Sequence, residues 1–261
     1  MSQIKSVMKS LVAAIAFYTC LPVPISWSLE FKYIARFAPI VGCLIGGLLW
    51  VEDEGLIRMG MPGLTRSALV VGTWLALTGG LHLDGAMDTA DGLAVMNPEK
   101  RLEVMTDSRT GAFGAMTAVV ILGLKCIALS DLTISRGFTL LMAAVWGRWG
   151  QQVAIAHYPY LKPTGKGAFH KTALPSIWPV VGMGVSWWMV LGGVWLISDG
   201  TWSLNLHHWL QFMLGLGGAT TMAIATGAWF NAKLGGHTGD TYGAVVEWTE
   251  VGILILFTLL A

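Results

Sequence analysis

Three aspartates in the segment 79–93 have the spacing of a metal site. Asp84, Asp88 and Asp91 follow one another at intervals of four and three residues, so on an α-helix they lie within an arc of about 60° on one face. Carboxylates held this close repel one another, and a bound divalent cation removes the conflict. Because the ligands are all oxygen, the pattern favours Mg²⁺, Mn²⁺ or Ca²⁺ over Zn²⁺. Helix capping is the alternative, but a cap requires one aspartate rather than three.

A second candidate group opens the next long apolar run. Asp107 or Ser108 is placed to cap the helix that starts there, and free N–H groups at its N-terminus would bind an anion. Arg109 beside them has the fork of donors that suits phosphate, so we predict phosphate binding; an arginine that extends to the lipid interface is the alternative. Asp107, or Asp240 before the last apolar run, is predicted to orient or deprotonate an incoming hydroxyl. Asp240 is also a candidate metal ligand.

Further candidates are charged or imidazole side chains in unusual surroundings. Lys125 and Arg148 fall inside apolar runs, where charges are costly and usually functional. We predict that both face the aspartates or a phosphate; pairing with a buried carboxylate is the alternative. Lys162 lies in a basic, aromatic connection that would close over an anionic ligand or contact lipid headgroups. His82 and His237 each follow a Gly-Gly pair and precede an aspartate, and we predict that they hydrogen-bond the substrate.

The composition indicates which elements position these residues. The chain has 261 residues, of which 54% are hydrophobic and 12% are charged, with mean hydropathy +0.64. Soluble domains carry about 25% charged residues. We therefore predict an all-α, polytopic membrane bundle that forms a single domain over 1–261 and contacts the lipid bilayer. The net charge of +1 gives no indication of a nucleic-acid partner, and the oligomeric state stays open.

Runs of about 20 apolar residues are needed to cross the hydrocarbon core of a bilayer. The sequence predicts seven transmembrane helices, at 37–51, 65–83, 111–129, 137–157, 176–198, 207–230 and 243–260. An eighth run, 7–21, ends at Pro22 and Pro24 and is short for a span. For this run we predict an interfacial or re-entrant segment.

The distribution of basic residues predicts the orientation. If the run 7–21 does not cross, eleven lysines and arginines lie on one side of the membrane and three, Arg58, Arg66 and Arg136, on the other. The excess marks the cytoplasmic side. All the unusual polar segments lie on that side, whereas a connection on the other side, such as 52–54, is predicted to be a solvated turn.

These segments resemble the cobalamin synthase family, the adenosylcobinamide-GDP ribazoletransferases. The resemblance covers nearly the whole chain and rests on the segments 17–24, GGLHLDGAMDTADGL at 79–93, MTDSRTGAFG at 105–114 and GGHTGDTYGA at 235–244. It implies a Mg²⁺-dependent inner-membrane enzyme at the end of vitamin B12 biosynthesis. Such an enzyme joins α-ribazole, or its 5′-phosphate, to adenosylcobinamide-GDP and releases GMP. Asp84, Asp88 and Asp91 would then bind one or two Mg²⁺ at the GDP pyrophosphate.

Other membrane proteins also use clustered aspartates. A CDP-alcohol phosphotransferase has a longer pattern with an Ala-Arg pair between its aspartates, and a prenyltransferase has two separate Asp-rich motifs; neither pattern matches. A cation transporter is a third alternative. Transport sites lie near the membrane midplane, whereas the aspartates here lie at the end of a predicted span.

Overall fold

The computed structural model of the protein describes residues 2–24, 27–132, 135–162, 167–198 and 206–260. Their α-helices, numbered in chain order, are α1 (Ser2–Tyr18), α2 (Ala38–Arg58), α3 (Gly63–Thr78), α4 (Leu81–Ala94), α5 (Arg101–Val104), α6 (Ala112–Asp131), α7 (Arg136–His157), α8 (Ala168–Ala173), α9 (Trp178–Ser198), α10 (Leu206–Leu234) and α11 (Gly239–Leu260). Two 3₁₀ helices, Phe31–Phe37 and Pro98–Lys100, precede α2 and α5. Within the described ranges the one strand-like feature is an isolated bridge between Tyr160 and His237. The predicted all-α class is confirmed.

Four segments of the described chain are long and apolar enough to cross a membrane: Phe31–Arg58, Ala112–Asp131, Trp178–Leu196 and Gly239–Leu260. They coincide with four of the seven predicted spans. Helix α7 is as long but carries Arg148, Gln151 and Gln152, and nearly all of its residues are buried. Helices α2, α10 and α11 pack around it, so its polar side chains face protein rather than lipid.

A double-glycine break separates the aspartates from the preceding helix. Gly79 and Gly80 have left-handed backbone angles, φ 59° and φ 71°, which a residue with a side chain adopts only with strain. They end α3 at Thr78 and start α4 at Leu81. The predicted continuous run 65–83 is therefore wrong at its end, and the aspartates lie on a separate helix of 14 residues.

Two glycines bring α4 directly against the start of α11. A methyl group on Gly85 would lie 2.6 Å from the carbonyl oxygen of Asp240, and one on Gly243 would lie 2.7 Å from that of His82. Because both approaches are to backbone atoms, a larger residue would push the helices apart. This packing fixes the aspartate-bearing helix relative to Asp240.

Helix α1 joins the bundle by its C-terminal end. It has 17 residues and exposes Ile4, Val7 and Met8. It begins earlier than the segment 7–21, whose interfacial or re-entrant position stays a prediction. The backbone N–H of Cys20 donates to the carbonyl of Leu77 at 2.7 Å. This bond places the end of α1 at the end of the bundle where α3 gives way to α4.

The opposite end of α2 and α7 is closed by a buried ion cluster. Arg136 Nη2 lies 2.7 Å from Asp53 Oδ1, and Arg66 Nε lies 3.3 Å from the same oxygen. Asp53 is 3% exposed, which corrects the prediction that 52–54 is a solvated turn. The two arginines hold α3 and α7 against α2.

Candidate functional site

The accessible face of α4 carries the predicted carboxylates. Asp84 is exposed, and Asp88 and Asp91 are half-buried. Partial burial is the first cause that raises the pKa of Asp88, to about 6. The negative charges of Asp84, Asp240 and Asp91 raise it further, and the positive charge of Lys162 opposes them. The four carboxylates therefore share one surface, with Lys162 beside them.

Asp91 caps the helix that follows. Its Oδ2 accepts the backbone N–H of Gly111 at 2.7 Å, and its Oδ1 accepts that of Gly114 at 2.8 Å. These bonds satisfy donors in the first turn of α6. They correct the prediction that Asp107 or Ser108 caps α6, and they put a carboxylate where an anion site was expected. The capping alternative holds for one aspartate of the three.

Asp84, Asp88 and Asp240 form a donor set that suits a hard cation. Mg²⁺ prefers carboxylate oxygens. After burial, the charges of neighbouring aspartates are the next causes that raise the pKa of Asp88, and a bound cation would offset those charges. In the described ranges no group of three or more His, Cys, Asp or Glu side chains converges closely enough to enclose an ion. Mg²⁺ commonly keeps several water ligands and contacts only one or two carboxylates directly. The residues therefore fit a partly hydrated Mg²⁺ rather than a closed cage.

Backbone pairing brings the predicted loop lysine to Asp240. The N–H of His237 donates to Pro159 O at 2.9 Å, and the N–H of Leu161 donates to His237 O at 2.8 Å. Lys162 follows directly, and its Nζ lies 3.4 Å from Asp240 Oδ2. A positive charge thus lies at the edge of the carboxylate surface, and the anion-binding role of Lys162 stays a prediction.

Both ring nitrogens of His237 contact other residues of the protein. Nδ1 contacts Thr241 Oγ1 at 3.0 Å, and Nε2 contacts the carbonyl oxygen of Gly227 at 3.1 Å. Burial lowers the pKa of His237 to about 4, so the ring is neutral. With both nitrogens engaged, His237 supports the segment that carries Asp240, which corrects its predicted contact with substrate.

His82 lies beneath α4 rather than on its accessible face. Its ring is buried and stacks on Tyr18, with the ring centroids 5.9 Å apart. Burial lowers the pKa of His82 well below its ordinary value, and the charges of Arg148 and Lys125 add to this effect. His82 and Asp84 project from different sides of the helix. The structure therefore corrects the prediction that His82 contacts substrate.

Asp107 and Arg109 pair with each other on the surface. Arg109 Nη2 lies 2.6 Å from Asp107 Oδ2, and the backbone N–H of Arg109 donates to Asp107 Oδ1 at 3.0 Å. The Arg109 hydrogen bonds lower the pKa of Asp107 to about 2, which makes it a weak base. The direction of this shift disfavours Asp107 as a proton acceptor, and its predicted role in orienting a hydroxyl stays a prediction. Arg109 is 87% exposed and stays accessible to a phosphate.

Lys125 and Arg148 belong to a buried charge network that the sequence analysis missed. Lys125 Nζ lies 2.7 Å from Glu247 Oε2 and 2.5 Å from Glu250 Oε2, and Arg148 Nη1 lies 2.7 Å from Glu250 Oε1. The network joins α6, α7 and α11. It corrects the prediction that these two cations face the aspartates, and the alternative of a buried carboxylate partner holds. Matching each intramembrane cation to an intramembrane glutamate would have identified it.

An apolar cavity of about 650 Å³ lies on the other side of α4. Helix α4 lines it with Ala86, Thr89 and Leu93, which lie roughly 140–200° around the helix from Asp84. Trp229 and Trp248 line it from α10 and α11. Because its lining contains no charged residue, this cavity is distinct from the carboxylate surface.

Comparison with known proteins places the chain in a family. The sequence profile described as cobalamin-5-phosphate synthase matches residues 10–258. The chain belongs to this family. Similar proteins named adenosylcobinamide-GDP ribazoletransferase include that of Trichormus variabilis, 54% identical over 260 residues, covering 98% of this chain and 99% of the relative. That of Synechocystis sp. is 50% identical over 253 residues, covering 96% and 94%. No solved structure matches the chain significantly.

The segments that carry the resemblance to the cobalamin-5-phosphate synthase family meet at one end of the bundle. The segment 79–93 forms most of α4, and Asp91 within it caps the helix that the segment 105–114 begins. The segment 235–244 starts α11 and packs on α4 through Gly243. The resemblance recognised in the sequence is confirmed, and its motifs form one surface.

Proposed function

We propose that this protein transfers the cobinamide phosphoryl group of adenosylcobinamide-GDP to α-ribazole or α-ribazole 5′-phosphate and releases GMP. Membership of the cobalamin-5-phosphate synthase family and the names of the relatives support the reaction. The observation that assigns the reaction to particular residues is the surface formed by four side chains, Asp84, Asp88, Asp240 and Lys162. A pyrophosphate held through a divalent cation requires this combination of carboxylates and a nearby positive charge.

In the reaction, a ribose hydroxyl of the acceptor forms a bond to the phosphorus that carries cobinamide. The bond from that phosphorus to the oxygen of GMP breaks, and the hydroxyl proton is released. A 5′-phosphate retained in the product, as the family's description indicates, requires that the attacking hydroxyl is not the 5′ one. The chain has to hold the two substrates in line and offset charge on the phosphoryl oxygens.

We assign metal binding, phosphate binding and helix positioning to different residues of this surface. Asp84, Asp88 and Asp240 would hold Mg²⁺, which when bound neutralises charge on the pyrophosphate oxygens. Lys162, at the Asp240 edge of the surface, offers a cation to the same oxygens. Arg109, oriented by Asp107, offers its guanidinium donors from the loop before α6. Asp91 keeps α6 in register with α4.

We also propose that this surface faces the cytoplasm from the inner membrane. The excess of lysine and arginine in the segments at this end supports that orientation. Guanine nucleotides are then available to the site without transport.

Purified protein in detergent, incubated with adenosylcobinamide-GDP, α-ribazole and Mg²⁺, tests the proposal through GMP release. We expect GMP in stoichiometric amounts with adenosylcobalamin, and its loss on chelation with EDTA. The 5′-phosphate acceptor is assayed in parallel. Absence of GMP with both acceptors, from protein that elutes as a single folded species, would contradict the proposed reaction.

A further inference from the structure

A groove separates the N-terminal helix from the chain that follows it. Its volume is about 460 Å³, within the range of small-molecule sites. Helix α1 lines one wall with Ile4, Met8 and Val12, and Trp27 and Leu29 line the other. Ile4 and Met8 are 70% and 53% exposed. Exposed apolar side chains that line one groove offer a surface on which an acyl chain can pack.

Two lysines lie along the rim of the same groove. Lys5 and Lys9 line it and are one helical turn apart, so their side chains project to the same side of α1. They lie next to the row formed by Ile4, Met8 and Val12. In the described part of the chain, no carboxylate is within 4.0 Å of either ammonium group. The groove thus combines an apolar floor with two ammonium groups that form no ion pair with a described residue.

The second wall is held in place by contacts outside the groove. Ser6 Oγ donates to Glu30 Oε2 at 2.7 Å, which ties α1 to the chain just beyond Leu29. Helix α1 also packs on the 3₁₀ helix Phe31–Phe37. Because this 3₁₀ helix leads directly into the start of α2, the groove lies at the end of α2 that is remote from Asp53, and we infer that headgroups of the bilayer lie there.

We propose that this groove binds one anionic phospholipid, with the phosphate between Lys5 and Lys9 and an acyl chain along Ile4, Met8 and Val12. Trp27 then lies at the level of the glycerol backbone, the depth that tryptophan prefers. None of the described residues that line the groove is acidic, and the nearby carboxylate of Glu30 accepts from Ser6, so a choline or ethanolamine group has no partner among the lining residues. The observations therefore favour an anionic lipid over a zwitterionic one. This site does not depend on the transferase reaction proposed above.

Native mass spectrometry of the purified full chain tests the proposal with phosphatidylglycerol and phosphatidylcholine as probes. We expect a phosphatidylglycerol adduct that is weakened about 30-fold in the double variant Lys5→Gln/Lys9→Gln, from roughly 1 kcal/mol for each lysine at the surface. The matched control Lys100→Gln/Lys233→Gln removes two exposed lysines outside the groove and should bind as the wild type does. Met8→Gln should weaken the lipid adduct and leave binding of glycerol 3-phosphate unchanged.

Three results would overturn the proposal. The first is equal binding of phosphatidylglycerol and phosphatidylcholine by the wild type. The second is an unchanged phosphatidylglycerol adduct in the Lys5→Gln/Lys9→Gln variant. The third is glycerol 3-phosphate binding as tightly as the lipid, which would identify a site for soluble phosphate instead.

Discussion

Replacing Glu250 by glutamine should destabilise the bundle more than any other single change in the buried charge network. Glu250 is 0% exposed and pairs with Lys125 at 2.5 Å and with Arg148 at 2.7 Å. Glutamine keeps the shape of the side chain but leaves two buried cations short of a counter-charge. Breaking a buried pair from one side costs about 3–5 kcal/mol. At roughly 2–4 °C for each kcal/mol, the midpoint of unfolding should fall by about 6–20 °C.

Two further variants make this prediction quantitative. Glu247→Gln removes one bond of 2.7 Å and leaves Lys125 paired with Glu250, so we expect a smaller loss of about 1.5–3 kcal/mol. Glu54→Gln, at an exposed glutamate of α2, should have no measurable effect. The assay is thermal unfolding of purified protein in one detergent, followed by circular dichroism. A midpoint for Glu250→Gln equal to that of Glu54→Gln would refute the reasoning.

Three other predictions follow from the site. Gly85→Ala should lower turnover by about 100-fold, because the added methyl meets the backbone of Asp240 and displaces α4 by a fraction of an ångström or more. The control is Gly72→Ala, whose added methyl has open space. Equal turnover of the two variants would contradict this prediction. Asp107→Asn should leave kcat within about tenfold of the wild-type value, because a carboxyl whose pKa is lowered to about 2 is a poor base. It should raise KM for the GDP substrate, because Asp107 orients Arg109. A larger loss of kcat would support a catalytic role for Asp107. The orientation is tested with single cysteines in a background without native cysteines. Met96→Cys, at the end of the bundle that carries α4, should react with an impermeant maleimide only after the cell membrane is opened, whereas Met59→Cys should react in intact spheroplasts. The reverse pattern would invert the proposed orientation.

The sequence was sufficient for the class of fold and for the segments of the site. Composition and apolar runs predicted a helical membrane bundle, and the spacing of Asp84, Asp88 and Asp91 predicted a common helical face. Both inferences depend on local properties: the free energy of burying apolar residues in lipid and the 100° step of the helix. The resemblance to a family added the substrate class, which no residue pattern in the chain specifies.

The partners of individual side chains were beyond reach because they depend on how helices pack. Asp88 and Asp91 are both aspartates on the same face of α4, yet Asp91 caps α6 whereas Asp88 stays half-buried on the carboxylate surface. The sequence marks Lys125 and Arg148 as unusual, but it does not reveal their partner Glu250, which lies inside the predicted span 243–260 and 102 residues from Arg148 along the chain. The predicted span 65–83 includes Gly79 and Gly80, whose left-handed backbone ends α3 in the structure. The partners of Asp91 and Glu250 depend on tertiary contacts, which a single sequence does not encode locally, whereas the break at Gly79 and Gly80 is a local property of the backbone.

The central claim is that the carboxylate surface of α4 holds the divalent cation used in phosphoryl transfer. The most direct test is the rate of GMP release by Asp88→Asn at saturating Mg²⁺, compared with the wild type in the same detergent. We predict a loss of about 1,000-fold or more, with an unfolding midpoint close to that of the wild type because Asp88 makes no ion pair in the described part of the chain. Turnover within a few-fold of the wild type would contradict the account.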